Sequence, residues 1–283
     1  MNIKPLLKKH ASTFLYDSRE IPFYFWSHTT SGTDSIDTVI FLGSGQSGVI
    51  AKWVAGNAPS GTVVVEGLPH KQADRSGVDL KEYARDYTET AYLAVLKEFN
   101  IHSANIVAES QAAPGAMWAA LDLFDSVKSM VLIAPLGLTA HVLGNSPKQR
   151  LKTLKWRAFL SAMQRAQSPF YDPRNFYLSS VMLHALLSDT RWNVSGQKYA
   201  VGASHDLRRE CRDLATQLHQ RGDQLMLILG DRDKIFPSDE IMASVEAAEI
   251  KYVNTVTLRT SHASLAIRDG KEILSRALQA LRR

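Results

Sequence analysis

A chain of 283 residues, 45% of them hydrophobic and 22% charged, carries enough apolar material for a sizeable core and reads as an ordinary globular protein. Its formal charge of +5 is scattered, with only the short clusters "LKKH" and "LRR", which argues against a nucleic-acid-binding surface. One cysteine, Cys211, excludes an internal disulfide and a cysteine metal cluster; no apolar run suits a signal peptide or a membrane span, so the expected setting is cytoplasmic.

The elements follow in chain order. "STFLY", "DSRE" and "IPFYFWS" predict an N-terminal β-hairpin with a polar turn. "DTVIFLG" is a continuous apolar run ending in glycine, as in a strand buried on both faces. "GSGQSG" follows, then a helix from about Val49 to Gly56, and "GTVVVEG" is the next buried strand. "DLKEYARDYTETAYLAVLKEF" predicts a long helix, "ANIVAES" a strand, "APGAMWAALDLF" a helix and "VKSMVLIAPLG" a strand. Residues 139–205 break the rhythm with helical segments and no buried strand. Alternation resumes with helix "DLRRECRDLATQLHQRG", strand "QLMLILGDRD", helix "SDEIMASVEAAE", strand "VNTVTLRTSH" and a last helix. Repeated strand–helix units predict an α/β fold, a mostly parallel doubly wound sheet with helices on both faces. Residues 1–138 and 206–283 form its core, and 139–205 form a helical cap inserted over it.

In an open parallel sheet, ligands bind beyond the carboxyl ends of the strands. Ser110 stands at such an end, in "VAESQAAPG", where a strand must reverse into a helix. A turn that sharp strains the serine backbone and exposes its hydroxyl, and it demands small neighbours, here Ala108, Ala112 and Ala113. Pro114 suits the first helical turn, where its missing N–H has no partner to lose. The Gln111 amide, at the helix start, points where a developing oxyanion would sit. A serine hydroxyl needs an imidazole to take its proton, and the imidazole needs an acid to hold its tautomer. "LILGDRDKIFP" offers a carboxylate, Asp231 or Asp233, after a later buried strand, and "VTLRTSHAS" offers His262 after the last one.

With that order of Ser, Asp and His, the chain resembles the α/β-hydrolase superfamily over almost its whole length. The resemblance implies a nucleophile elbow after the fifth strand, a cap after the sixth, the acid after the seventh and the histidine after the eighth. It assigns Ser110 as nucleophile, Asp233 as acid and His262 as base, with Asp231 as the rival carboxylate and Asp239 capping the next helix. "APLGL" leaves no acid at the family's other carboxylate position, after the sixth strand. The sequence departs from the family twice. Alanines replace the glycines around the serine, and Phe41-Leu42-Gly43-Ser44-Gly45 replaces the usual His-Gly after the third strand. The second oxyanion amide then falls to Ser44 or Gly45.

"GSGQSG" lacks the lysine and the spacing of a nucleotide loop. Trp118 is expected in the core, and Cys211 is expected buried in a helix. His70 is a candidate for the pocket wall, and Trp156, Phe159 and Phe170 in the cap are candidates for binding an apolar acyl or alkyl group. The implied activity is a serine hydrolase acting on an ester, thioester or related acyl bond of a small, partly apolar molecule, without a metal or organic cofactor. An acyltransferase or cyclase on the same triad, and a ligand-binding protein with a vestigial triad, are the alternatives. The expected state is a monomer or homodimer.

Overall fold

The computed structural model describes residues 6–28, 36–43, 46, 48–69, 78–146, 149–150, 152–154, 156–157, 160, 205–260, 265 and 270–281. Strands β1 (Leu7–Tyr16) and β2 (Arg19–His28) form the N-terminal hairpin in the register Tyr16↔Arg19. Its turn is Asp17–Ser18, two left-handed residues at φ 49° and 59°. Two consecutive positive φ values match the right-handed twist of the flanking strands, which therefore run closer to the turn than "DSRE" suggests. β1 is the sheet edge and carries Lys8 and Lys9 there, charges that discourage a foreign strand from pairing.

The inner strands are β3 (Thr38–Phe41), β4 (Thr62–Val65), β5 (Ala104–Glu109), β6 (Val127–Ile133) and β7 (Leu225–Gly230), with β8 (Val253–Leu258) at the far edge. The eight strands are ordered β1-β2-β4-β3-β5-β6-β7-β8, antiparallel from β1 through the β2–β4 pair and parallel thereafter. β3, β4, β5 and β7 are buried at every position, as their unbroken apolar runs require, whereas the edge strand β8 is half open.

Period-two alternation divides the core. Val39, Phe41, Ile106 and Leu227 face α2 (Leu80–Glu98), α3 (Ala113–Asp122), α4 (Arg208–Arg221) and α5 (Ser238–Ala247). Ile40, Leu42, Val107 and Ile228 face α1 (Val49–Asn57) and α6 (Gly270–Ala280). The result is a three-layer sandwich. Helix α3 is buried at every position from Ala113 to Ala120, which explains its run of small residues. At Gly115 a β-carbon would stand 2.6 Å from the Ala84 carbonyl oxygen on α2, so no side chain fits between the helices. Trp118 and Cys211 are buried, as their sequence context suggests.

After β6 the chain runs on from Gly137, keeping Leu138, Leu143 and Leu154 in the core, and returns at Leu207, whose amide donates to the Gly137 carbonyl at 3.2 Å. The ends of the intervening segment thus meet. Residues 161–204, most of the expected cap, lie outside the described residues. Among the described residues no helix is long and apolar enough to cross a membrane. Asp239 does not cap α5. That helix begins at Ser238 behind Pro237 with no side-chain cap bond, and Asp239 is exposed within the first turn, where its charge meets the positive end of the helix dipole.

Candidate active site

Because β3 and β5 through β8 run parallel, their carboxyl ends share one rim, where the described candidates Ser110, Gln111, Asp231 and Asp233 lie. β5 ends at Glu109, a short 3₁₀ turn covers Ser110–Ala112, and α3 starts at Ala113. Within that reversal Ser110 is held at φ +50°. A left-handed serine costs about 1–2 kcal/mol, and such strain persists only where the surroundings impose it. They do so here: the Leu136 amide, on the loop after β6, donates to the Ser110 carbonyl at 3.1 Å. Ser110 is half-buried and Ala108 fully buried, so the hydroxyl reaches the rim while the strand beneath stays sealed. Pro114 sits in the first turn of α3, where its missing N–H has no intrahelical partner to lose.

The loop after β3 lies directly over this turn. A β-carbon on Gly43 would stand 3.6 Å from the Ser110 Cβ and 3.4 Å from the Glu109 carbonyl oxygen. On the other side, a β-carbon on Gly67 would stand 2.3 Å from the Gly43 carbonyl oxygen, so glycine is obligatory there. Gln46 closes the loop as a tight turn, its amide donating to the Gly43 carbonyl at 3.2 Å, while its own carbonyl accepts from Gly67 N–H at 3.0 Å. Ser44 and Gly45, the candidates for the second oxyanion amide, lie outside the described residues.

Two carboxylates follow β7, and their environments differ. Asp231 is exposed, whereas Asp233 is 3% exposed. Asp233 Oδ1 accepts from the amides of Ile235 at 2.7 Å and Phe236 at 3.0 Å, which fixes its orientation. The acid loop is also tied to the segment leading to His262: Asp231 N–H donates to Leu258 O at 2.9 Å and Arg232 N–H to Thr260 O at 3.0 Å. β8 stops at Leu258, where Thr260 N–H turns back to the Leu258 carbonyl at 2.8 Å. His262 itself, two residues further on, lies outside the described residues. Arg157 braces the acid loop from the far side, donating to the Ile235 carbonyl at 3.2 Å and to Glu240 Oε1 at 2.8 Å.

A small cavity of about 10 Å³, room for about one water molecule, lies beside the elbow, lined by Phe41, Leu42, Glu66, Leu68, Tyr87, Thr88, Gln111 and Ala112. Of the candidates for substrate contact, Trp156 is exposed, and His70, Phe159 and Phe170 lie outside the described residues. Cys211 is sealed in the core, and burial pushes its thiol up to about 12, which disqualifies it as a nucleophile. Among the described residues no group of three or more His, Cys, Asp or Glu side chains could hold a metal ion.

Two features escaped sequence reading. Glu109, immediately before Ser110, is fully buried and its Oε1 accepts from Gln46 Nε2 at 2.7 Å. An acidic residue ending the apolar run "NIVAE" was the available signal, since carboxylates are rarely fully buried without a partner. The other is a Ser27–His10–Glu98 chain of hydrogen bonds in the hairpin: His10 Nδ1 lies 2.9 Å from Glu98 Oε1 and Nε2 lies 3.0 Å from Ser27 Oγ.

No protein-family model matches the sequence, and no curated protein matches it. Solved structures do. A bacterial membrane phospholipase A superposes with a TM-score of 0.65 at 14% identity, over 98% of this chain and 87% of that one. An alpha/beta hydrolase enzyme from a Medee basin deep-sea metagenome library gives 0.64 at 16%, over 96% and 98%. A thermophilic esterase from Thermogutta terrifontis gives 0.58 at 15%, over 97% of each chain. At such identities the likeness is one of fold.

Proposed function

We propose that this chain, which has the α/β-hydrolase fold, is a serine hydrolase that cleaves an ester, thioester or related acyl bond through an acyl-enzyme on Ser110. The observation that carries the reading is the left-handed Ser110 at the β5–α3 reversal, held by the Leu136 amide on the rim where the Asp233 loop also arrives. Strain of this kind holds a hydroxyl out of the strand and in front of helix-start amides, the placement an attacking serine needs.

In the proposed mechanism, Ser110 Oγ attacks the acyl carbonyl while His262 takes its proton. Asp233 stabilises the resulting imidazolium; it suits the part better than Asp231 because burial and two backbone donors fix its orientation, whereas Asp231 is exposed. The Gln111 amide and an amide of Ser44 or Gly45 hold the oxyanion, each such donor being worth about 2.7–4 kcal/mol of barrier. The tetrahedral intermediate collapses, and the leaving group departs with the proton from His262. Water then gives a proton to His262 and attacks the acyl-enzyme, releasing the acid and restoring the serine.

Phe41, Leu42, Leu68 and Tyr87 line the small cavity beside the elbow, so a substrate group approaching it from the rim would meet apolar side chains, in keeping with a partly apolar substrate. Two of the structural neighbours, the phospholipase and the esterase, bear names of enzymes that act on carboxylic esters. Stopped-flow mixing with p-nitrophenyl butyrate tests the reading. A burst of p-nitrophenol stoichiometric with enzyme, followed by slower turnover, is the expected trace; tight binding of small acyl compounds with no p-nitrophenol released would overturn it.

A further inference from the structure

The oxyanion hole of the proposed mechanism is assembled from two separately anchored pieces. Gln111 rides on the elbow at the end of β5, and Ser44 and Gly45 ride on the loop after β3. Two amides aimed at one oxygen must keep their separation to a fraction of an ångström, because a displacement of about 1 Å can cost about a hundredfold in rate. In this sequence Phe41-Leu42-Gly43-Ser44-Gly45 stands where the resemblance expects His-Gly after the third strand, and the described contacts show what holds this loop.

We infer that the Gln46–Glu109 side-chain hydrogen bond fixes the oxyanion loop to the nucleophile elbow, making these two positioning residues for the reaction at Ser110. The inference rests on the reading of Ser110 as nucleophile. Gln46 is the end point of the loop and is held from three directions. Its amide bonds the Gly43 carbonyl at 3.2 Å, its carbonyl accepts from Gly67 N–H at 3.0 Å, and its side-chain Nε2 donates to Glu109 Oε1 at 2.7 Å. The first two bonds shape the turn and seat it on the strand β4 side. Of the three, only the last reaches the β5 segment that carries the serine.

Glu109 is fully buried at the end of β5 and adjoins Ser110, so a bond to its carboxylate is a bond to the segment that carries the serine. A buried carboxylate is expensive to keep in an otherwise apolar strand, and its bond to Gln46 ties that cost to the geometry of the site rather than to the core. Gly43 and Gly67 complete the arrangement, since a side chain at Gly67 would displace the loop that Gln46 closes.

The test measures acylation rate, KM and melting temperature with p-nitrophenyl butyrate for the wild-type chain and for Q46A, E109Q, E109A and Q46A/E109A. Expected are losses of about 10- to 100-fold in acylation rate for Q46A and for E109A, with KM little changed. The double variant should be no slower than the slower single variant, and E109Q, which still offers Gln46 an acceptor, should keep most of the rate. Q46A lies at the half-buried end of the bond and carries the test alone if E109A does not fold. A wild-type burst combined with Q46A acylating at the wild-type rate overturns the inference and leaves Ser110 as nucleophile. So do losses that multiply in the double variant, or a Q46A loss matched by a fall in melting temperature at the assay temperature. A wild-type chain that releases no p-nitrophenol overturns both.

Discussion

Two serines invite comparison in this molecule: Ser27, which heads a chain of hydrogen bonds through His10 to Glu98, and Ser110, which the proposed mechanism uses as nucleophile. At Ser27 the distances are those of a working triad: 3.0 Å from the hydroxyl to His10 Nε2, and 2.9 Å from His10 Nδ1 to Glu98. Yet Ser27 lies within the regular strand β2 and is 2% exposed, and His10 is pinned by stacking on Phe25 at 4.8 Å with its ring edge-on to Phe99. Among the described residues no chain reversal and no helix start lies near it to receive an oxyanion. Ser110 has what Ser27 lacks: a left-handed backbone, a helix start immediately after it and a position on the open rim of the sheet. Hydrogen-bond distance qualifies a polar network, whereas backbone placement and access qualify a nucleophile.

The comparison can be broken by substitution, and the largest effect separates the serines themselves. Ser110→Ala should lower ester turnover by roughly 10⁴-fold or more with the fold intact, whereas Ser27→Ala should turn over as wild type; circular dichroism and p-nitrophenyl ester kinetics read both. The acids should divide in the same way. Asp233→Asn should cost about 10⁴-fold in kcat by leaving the imidazole in the wrong tautomer, while Asp231→Asn and Glu98→Gln should leave kcat close to wild type. A large loss in Asp231→Asn with Asp233→Asn active would exchange their roles.

Smaller effects concern stability. His10→Ala removes a packed ring and strands the Ser27 hydroxyl, so it should lower the unfolding free energy by about 2–4 kcal/mol in urea melts while the burst at low temperature persists. Burial holds His10 below the usual histidine range of about 6.5, against the opposing pull of Glu98. A base whose folded pKa is depressed takes up its proton more readily unfolded. The His10 contribution is therefore fully present above pH of about 6.5 and is lost as pH falls from there through the folded value. His10→Phe should flatten that part of the stability–pH curve. Ser27→Ala, the mildest change, should cost about 1 kcal/mol.

The layered fold was legible because its signals are local and repeated. Apolar runs such as "VVV" and "LMLIL" have one reading when helices alternate with them, and the Asp17–Ser18 turn sits where the hairpin signals put it. The elbow was legible for a steric reason: the alanines flanking Ser110 are what a left-handed residue and a fully buried helix demand. Asp239 was misread as a cap because a sequence shows that a carboxylate precedes a helix more clearly than it shows the residue at which the helix begins. The Gln46–Glu109 bond and the Ser27–His10–Glu98 chain were hidden because they join residues 63, 17 and 88 positions apart, a pairing that only the sheet order creates. The cap aromatics Phe159 and Phe170 lie outside the described residues.

The most direct measurement is reaction of the intact chain with a fluorophosphonate followed by peptide mass spectrometry. The account predicts one adduct, on the peptide containing Ser110, absent in Ser110→Ala and unaffected in Ser27→Ala. An unmodified Ser110 under conditions that label a known serine esterase, or an adduct on Ser27, would contradict it.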